Sequence, residues 1–281
     1  MALPDLSNSM YVARLRYIQS IHEPPEHRNP DTFVGYLMPF VQRLRASWLG
    51  REELNKLRAE PFYYYLVART RYYDDVIREA VADGVQRIVS IGCGSDTRPY
   101  RFKELLLSHR VTVLECDQAE AIQIKQQLTR RWRPCDHVGY LPIDLNDQAW
   151  PDLEQQLRRH ADVKTLVLME GVSPYVNRAT FAKFLDLLAT QLRPGSPLAY
   201  DYKLKGVKDD FGAGGRAGEP FRLTDDRGEV SNFHDKFGLR LQGMEVSNAL
   251  CERLLPGVAK SGVPLFTEDG LLRLKVGGPG A

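Results

Sequence analysis

At 281 residues, with 43% hydrophobic and 26% charged content, the chain has the composition of an ordinary globular protein and is long enough for one substantial core. Its 38 basic and 36 acidic side chains leave a net charge of +2, too small a field to draw in a polyanion, so no nucleic-acid partner is expected. No apolar run approaches the roughly 18 residues of a membrane span and no basic-then-apolar leader opens the chain, which argues for a cytoplasmic protein without a membrane partner.

Residues 1–60 contain no strand-like run. Phe33, Leu37, Phe40, Val41, Leu44 and Trp48 recur at helical spacing, with breaks at Pro24-Pro25, Pro30 and Gly50, which predicts a helical cap or lid. A single helix is expected from Pro61 to Gly84. Arg69 and Arg71 lie on it two residues apart and so point to different faces, leaving at most one to look into a cleft. From there to the C-terminus the pattern predicts one domain, residues 61–281.

The segment Arg87–Ile91 is a short apolar strand that ends in Gly92-Cys93-Gly94-Ser95-Asp96-Thr97-Arg98. Two glycines around one small residue allow a tight turn and let a ligand approach the bare backbone, as nucleoside-bearing cofactors require. The Gly-Lys-Ser/Thr ending of a nucleoside-triphosphate loop is absent. The third glycine that seats a dinucleotide pyrophosphate is replaced by Thr97. Strand two, Val111–Asp117, ends in acids where an acceptor for ribose hydroxyls belongs. Strand three, Val138–Ile143, is followed by Asp144-Leu145, and an acid there suits an adenine amino group. The combination favours S-adenosylmethionine (SAM) over a nicotinamide dinucleotide.

A polar helix from about Ala119 to Arg131 and another around Leu153 separate these strands. Strand four is Thr165–Met169, running into Glu170-Gly171, and strand five is Leu198–Tyr202 after a helix from about Arg178 to Leu192. Strands Leu239–Val246 and Leu271–Val276 complete seven. Strand–helix repeats of this length predict right-handed crossovers and an α/β, Rossmann-like, mostly parallel sheet with helices on both faces. Lys203–Asp235, glycine-rich at 211–218 and poor in periodicity, is expected to be a mobile substrate lid. The four cysteines, Cys93, Cys116, Cys135 and Cys251, have no metal-ligand spacing and read as reduced thiols, with Cys93 and Cys116 serving as small apolar residues.

Five motifs stand in the order and spacing of a known family: Ala68-Arg69-Thr70-Arg71, Ile91 to Arg98, Glu115-Cys116-Asp117, Asp144-Leu145, and Met169-Glu170-Gly171-Val172-Ser173-Pro174-Tyr175. Over residues 60–275 the chain resembles the leucine carboxyl methyltransferases, and Gly218-Glu219-Pro220-Phe221-Arg222 resembles their bacterial branch, which includes polyketide methyltransferases of the tetracenomycin type. The resemblance implies a class I SAM-dependent methyltransferase of secondary metabolism. It implies that Arg69 pairs with the SAM carboxylate and that Gly92 and Gly94, with Cys93 between them in place of the family's usual alanine, lie under the methionine and ribose. Asp96, with Arg98, by its own chemistry suits a small zwitterionic ligand. The resemblance further implies Asp117 on the ribose, Asp144 and Leu145 at the adenine, Glu170 at the ammonium and Tyr175 toward the acceptor.

The acceptor is expected to be a small molecule. A carboxylate would need cations, for which Arg98, Arg101 and Arg222 are candidates. A phenol would want a histidine or a tyrosine, for which His234, the histidine placed nearest the active side, and Tyr175 are candidates. A dehydrogenase using the same glycine turn and a non-catalytic SAM-binding partner are the competing readings.

Overall fold

The computed structural model describes residues 6–132, 135–147, 149–207 and 219–278. Helices α1 (Leu6–His22), α2 (Phe40–Ser47) and α3 (Arg51–Ala59) lead in, and the prolines and glycine at Pro24-Pro25, Pro30 and Gly50 fall between them, where the chain cannot continue a helix. Helix α4 (Pro61–Ala82) has proline at its first position, where a missing N–H is harmless. It ends before Gly84, whose φ of +79° turns the chain toward the sheet.

The sheet then builds through β1 (Arg87–Ile91), α5 (Arg98–Arg101), α6 (Lys103–Ser108), β2 (Thr112–Asp117), α7 (Ala119–Thr129), β3 (Val138–Pro142), α8 (Pro151–Arg158), β4 (Thr165–Met169), α9 (Arg178–Gln191) and β5 (Pro197–Leu204). These five strands are parallel in the order β3-β2-β1-β4-β5. The chain closes with β6 (Arg222–Leu223), α10 (Arg227–Asp235), β7 (Leu239–Val246), α11 (Ser247–Leu254), α12 (Pro256–Ala259) and β8 (Asp269–Val276). Strand β8 lies antiparallel between β5 and β7. Among the described residues the sheet therefore has eight strands where seven are predicted. The additional one, β6, is two residues paired to the end of β5, too short to leave a periodicity.

Both faces of the parallel strands are covered, so their side chains alternate between two apolar layers. Ile88, Val113, Leu166 and Leu168 pack beneath α4 and α11, and Val89, Ile91, Val167 and Met169 beneath α8 and α9. That is why the strands read as continuous apolar runs rather than alternating ones. From the cap, Leu15 and Ile18 of α1 join the α4 layer.

The stretch expected to be a mobile lid is partly ordinary structure. Residues 203–207 and 219–235 form the end of β5, then β6 and α10, whose N-cap Asp226 accepts from the Glu229 N–H at 2.8 Å. The glycine-rich part, 211–218, lies outside the described residues. Helix α2 also differs from a core-facing helix: its periodicity is genuine, but Phe40, Val41, Leu44 and the following Trp48 face solvent.

Candidate active site

Strand order reverses at β1, whose neighbours are β2 and β4, and in open α/β sheets the crevice forms at the carboxyl ends of the strands at such a point. The glycine turn stands there. Gly92 and Gly94 have φ of +65° and +36°. Between them the Cys93 N–H donates to the Cys116 carbonyl at 3.0 Å, tying the turn to β2. Asp117 Oδ2 accepts the Gly94 N–H at 2.7 Å. A side chain on Gly92 would meet the Val172 methyl, and one on Gly94 would lie 3.1 Å from Ser9 Oγ of α1. Gly92→Ala is therefore expected to lose about 1–3 kcal/mol through left-handed backbone strain and the Val172 collision. Thermal denaturation checks this, and adding Val172→Ala should recover only the collision part.

Carboxylates lie toward the carboxyl ends of successive strands: Asp117 as the last residue of β2, Asp144 after β3, Glu170 after β4, and Asp201 in the second half of β5. The Asp144 carboxylate accepts from Gln118 Nε2 at 3.1 Å and from the Asn146 backbone N–H at 2.9 Å. Asp201 accepts the Gly171 N–H at 2.6 Å. Arg69 faces this row from α4, with Nε 3.2 Å from Glu170 and Nη1 3.2 Å from Asp201. Arg71 turns away, donating to the carbonyls of Leu254, Glu26 and Arg28, so the two arginines serve different faces of α4.

From Glu170 a ladder of alternating charge runs back to the cap. Arg98 Nη1 lies 2.7 Å from Glu170, and Arg98 Nε is 2.8 Å from Asp74. Arg101 grips Asp74 with both terminal nitrogens at 2.9 and 2.7 Å. Asp31 receives the Thr97 hydroxyl at 2.6 Å and Arg16 at 3.1 Å, and Arg16 donates to the Ser95 carbonyl at 2.9 Å. Burial alone would raise the Asp96 carboxyl, but Arg98 and Lys125 outweigh it and hold the group down to about 2. Asp201 keeps a net upward shift to about 6, because burial exceeds the help from Arg69.

A family model described as leucine carboxyl methyltransferase matches residues 9–189. The chain belongs to that family. The match begins inside α1 and ends in α9, so it includes the cap that the five motifs leave out. Relatives named "Putative S-adenosyl-L-methionine-dependent methyltransferase" occur in Mycolicibacterium gilvum (strain PYR-GCK), 32% identical over 69% of this chain and 67% of the relative, and in Streptomyces coelicolor, 26% identical over 72% and 71%. Among solved structures, StiE O-MT residues 961–1257 superimpose with TM-score 0.52 at 13% identity, covering 85% of this chain and 82% of that one. Magnesium protoporphyrin IX methyltransferase (ChlM) from Synechocystis PCC 6803 does so with TM-score 0.50 at 14% identity and 96% coverage of each. These similarities give the fold of a class I SAM-dependent methyltransferase, and the family gives the enzyme class and the cofactor.

The crevice of this methyltransferase fits that cofactor. SAM carries a sulfonium, an ammonium and a carboxylate, a net cation with one anionic end. The row of strand-end acids suits the cationic part. Arg69 suits the anionic end, since its Nε is buried with no hydrogen-bond partner although Glu170 is near, an orphan donor that a carboxylate would satisfy.

Several expected site residues do other work. Of the expected acceptor cations, Arg98 is buried and Arg101 half-buried, and both are committed to Asp74. Arg222 donates to the Val207 carbonyl. His234, placed by sequence near the active side, is fully buried in α10 on the α9 face of the sheet. Its Nδ1–H donates to the Val230 carbonyl at 2.6 Å and its Nε2 accepts from the Tyr200 hydroxyl. Burial lowers its pKa to about 4, so the ring is neutral and structural. Cys93 and Cys116 are buried and burial pushes both thiols up, which leaves no thiolate for chemistry. Leu145 packs in the lower layer beside Trp150, and Tyr175 lies in the single turn Ser173–Tyr175 that follows β4.

Lys125, not singled out in the sequence, and Glu115, named there only within the strand-two motif, support the turn from below. Lys125 of α7 donates to the Cys93 carbonyl at 3.2 Å and pairs with Glu115, which also accepts the Tyr100 hydroxyl at 3.2 Å. Burial raises Glu115 to about 7 despite the lysine. An acid inside an apolar strand was the available signal, since such a group needs a buried partner.

Proposed function

We propose that this methyltransferase transfers the SAM methyl group to an oxygen of a small secondary-metabolite acceptor, a carboxylate in preference to a phenol. The observation that carries the choice is the burial of His234. His109, His137 and His160 precede β2, β3 and β4, at the other end of the strands; of the cap histidines, His22 meets the Ala46 carbonyl and His27 packs against Tyr64 of α4. No described histidine is therefore placed to deprotonate a phenol, whose pKa is about 10, whereas a carboxylate is already ionised at neutral pH. The leucine carboxyl family supports the same acceptor class.

Within this reading SAM supplies an electrophilic methyl group on a sulfonium. Arg69 would hold the cofactor carboxylate, Glu170 its ammonium, Asp117 the ribose hydroxyls, and Asp144 the adenine amino group beside Leu145. Gly92, Cys93, Gly94 and Asp96 supply the floor, and Tyr175 faces the acceptor. The remaining contribution is alignment and exclusion of water, the chief requirements of an in-line transfer.

Presented with labelled SAM and a panel of carboxylic acids and phenols, the enzyme is expected to give base-labile methyl esters. The rate of ester formation should change little between about pH 6 and 9, where a carboxylate stays ionised. Label only in base-stable ethers, formed faster as pH rises, would assign a phenol instead. Loss of Asp117 should weaken SAM by about 1–3 kcal/mol, and unchanged affinity would place the ribose elsewhere.

A further inference from the structure

The helical cap carries an apolar surface that no described residue covers. Phe40, Val41, Leu44 and Trp48 are 66%, 57%, 47% and 82% exposed. At about 100° of rotation per residue the four fall within one stripe. Ala46, the buried residue of α2, lies on the opposite side of the helix, against α1. There His22 Nε2 meets the Ala46 carbonyl at 2.8 Å and the Tyr17 hydroxyl bonds Ser47 Oγ at 3.1 Å. The stripe thus points away from the molecule.

The same rotation puts Arg43 on one flank of the stripe and Arg45 on the other. Tyr36 extends the apolar surface, with Arg43 5.5 Å and Arg131 5.9 Å over its ring. No aspartate or glutamate occurs between Thr32 and Arg51. Among the described residues, Arg43, Arg45 and Arg131 pair with no carboxylate.

We propose that α2 is an interfacial helix that seats the protein on an anionic lipid surface, its apolar stripe in the headgroup boundary and its flanking arginines on lipid phosphates. Large apolar residues opposite the packed face, rimmed by unpaired cations, are what such a surface recognises. A second copy is disfavoured because a two-fold contact over the stripe would set arginine rim against arginine rim. The expectation of no membrane partner came from segment length, a criterion for spanning. No helix among the described residues is long and apolar enough to cross a membrane, and a helix lying in the interface need not be. The proposal rests on the exposed stripe and not on the identity of the methyl acceptor.

Co-sedimentation of the full chain with vesicles of phosphatidylglycerol and phosphatidylcholine, against phosphatidylcholine alone, tests it. The wild type should bind the anionic vesicles about tenfold or more tightly than the neutral ones, and lose that preference in high salt. Trp48 emission should shift to the blue on binding. Arg43→Glu/Arg45→Glu and, separately, Phe40→Ser/Trp48→Ser should each reduce binding about tenfold or more while leaving the melting temperature and SAM affinity as in the wild type. Equal binding to both vesicle types, binding untouched by either double variant, or an oligomer that Phe40→Ser/Trp48→Ser dissolves without any vesicle binding would each overturn the proposal.

Discussion

Arg69→Ala is expected to destabilise the folded protein by about 3–5 kcal/mol, because it leaves the buried carboxylate of Asp201 without its cation, while the half-buried Glu170 keeps only Arg98. The pH dependence of that loss is diagnostic. Asp201 titrates at about 6 in the folded protein against about 3.9 for an unfolded aspartate, so between those values the folded state binds more protons. Stability contributed by this group therefore rises as pH falls from 6 toward 4 and declines as pH rises through 6. Removing the guanidinium raises the Asp201 pKa further, so the deficit of Arg69→Ala should be largest near pH 8 and shrink toward pH 5, where the carboxyl protonates. Denaturant melts at the two pH values check this. A deficit that grows on acidification would mean that Arg69 does not neutralise Asp201. Calorimetric titration should also show SAM bound more weakly by about 1–3 kcal/mol.

The second large effect concerns the ion pair under the glycine turn. Lys125→Met should cost about 3–5 kcal/mol, since Glu115 remains buried beside Tyr100 with no cation. Adding Glu115→Gln should restore much of that stability, because the amide can still accept the tyrosine hydroxyl and carries no charge to desolvate. SAM affinity should recover less than stability does. The methionine cannot replace the ammonium that holds the Cys93 carbonyl, and the backbone of the turn is left less fixed. Full recovery of both quantities would reduce Lys125 to a partner for Glu115. Stability and affinity that stay low together would instead show that the two residues act independently.

The buried ladder from Asp201 to Arg16 explains why these substitutions should reach beyond their immediate contacts. It joins β5, α4, the turn after β1 and α1 through fully or largely buried charges. Each rung between the two ends is matched on both sides, so removing one of these strands two neighbours. The cap is thereby tied to the cofactor turn, with Arg16 on Ser95 and Ser9 beside Gly94.

Much of this was legible in the linear chain. The glycine turn after β1, the acids at or past the ends of β2, β3 and β4, and the seven longer strands all follow from short-range rules: the sign of φ that only glycine tolerates readily, and the length of apolar runs buried on both faces. What the chain could not show is which distant groups meet. Arg98 resembled a free acceptor cation until Asp74, 24 residues away, was folded against it, and His234 resembled a loop base until α10 turned it under Tyr200. Helix α2 draws the same line within one element. Its residues dictate a helix with an apolar stripe, because spacing along the chain sets what shares a face. Whether that face is buried depends on what packs against it, and only the tertiary structure could put Ala46 inward and Trp48 out.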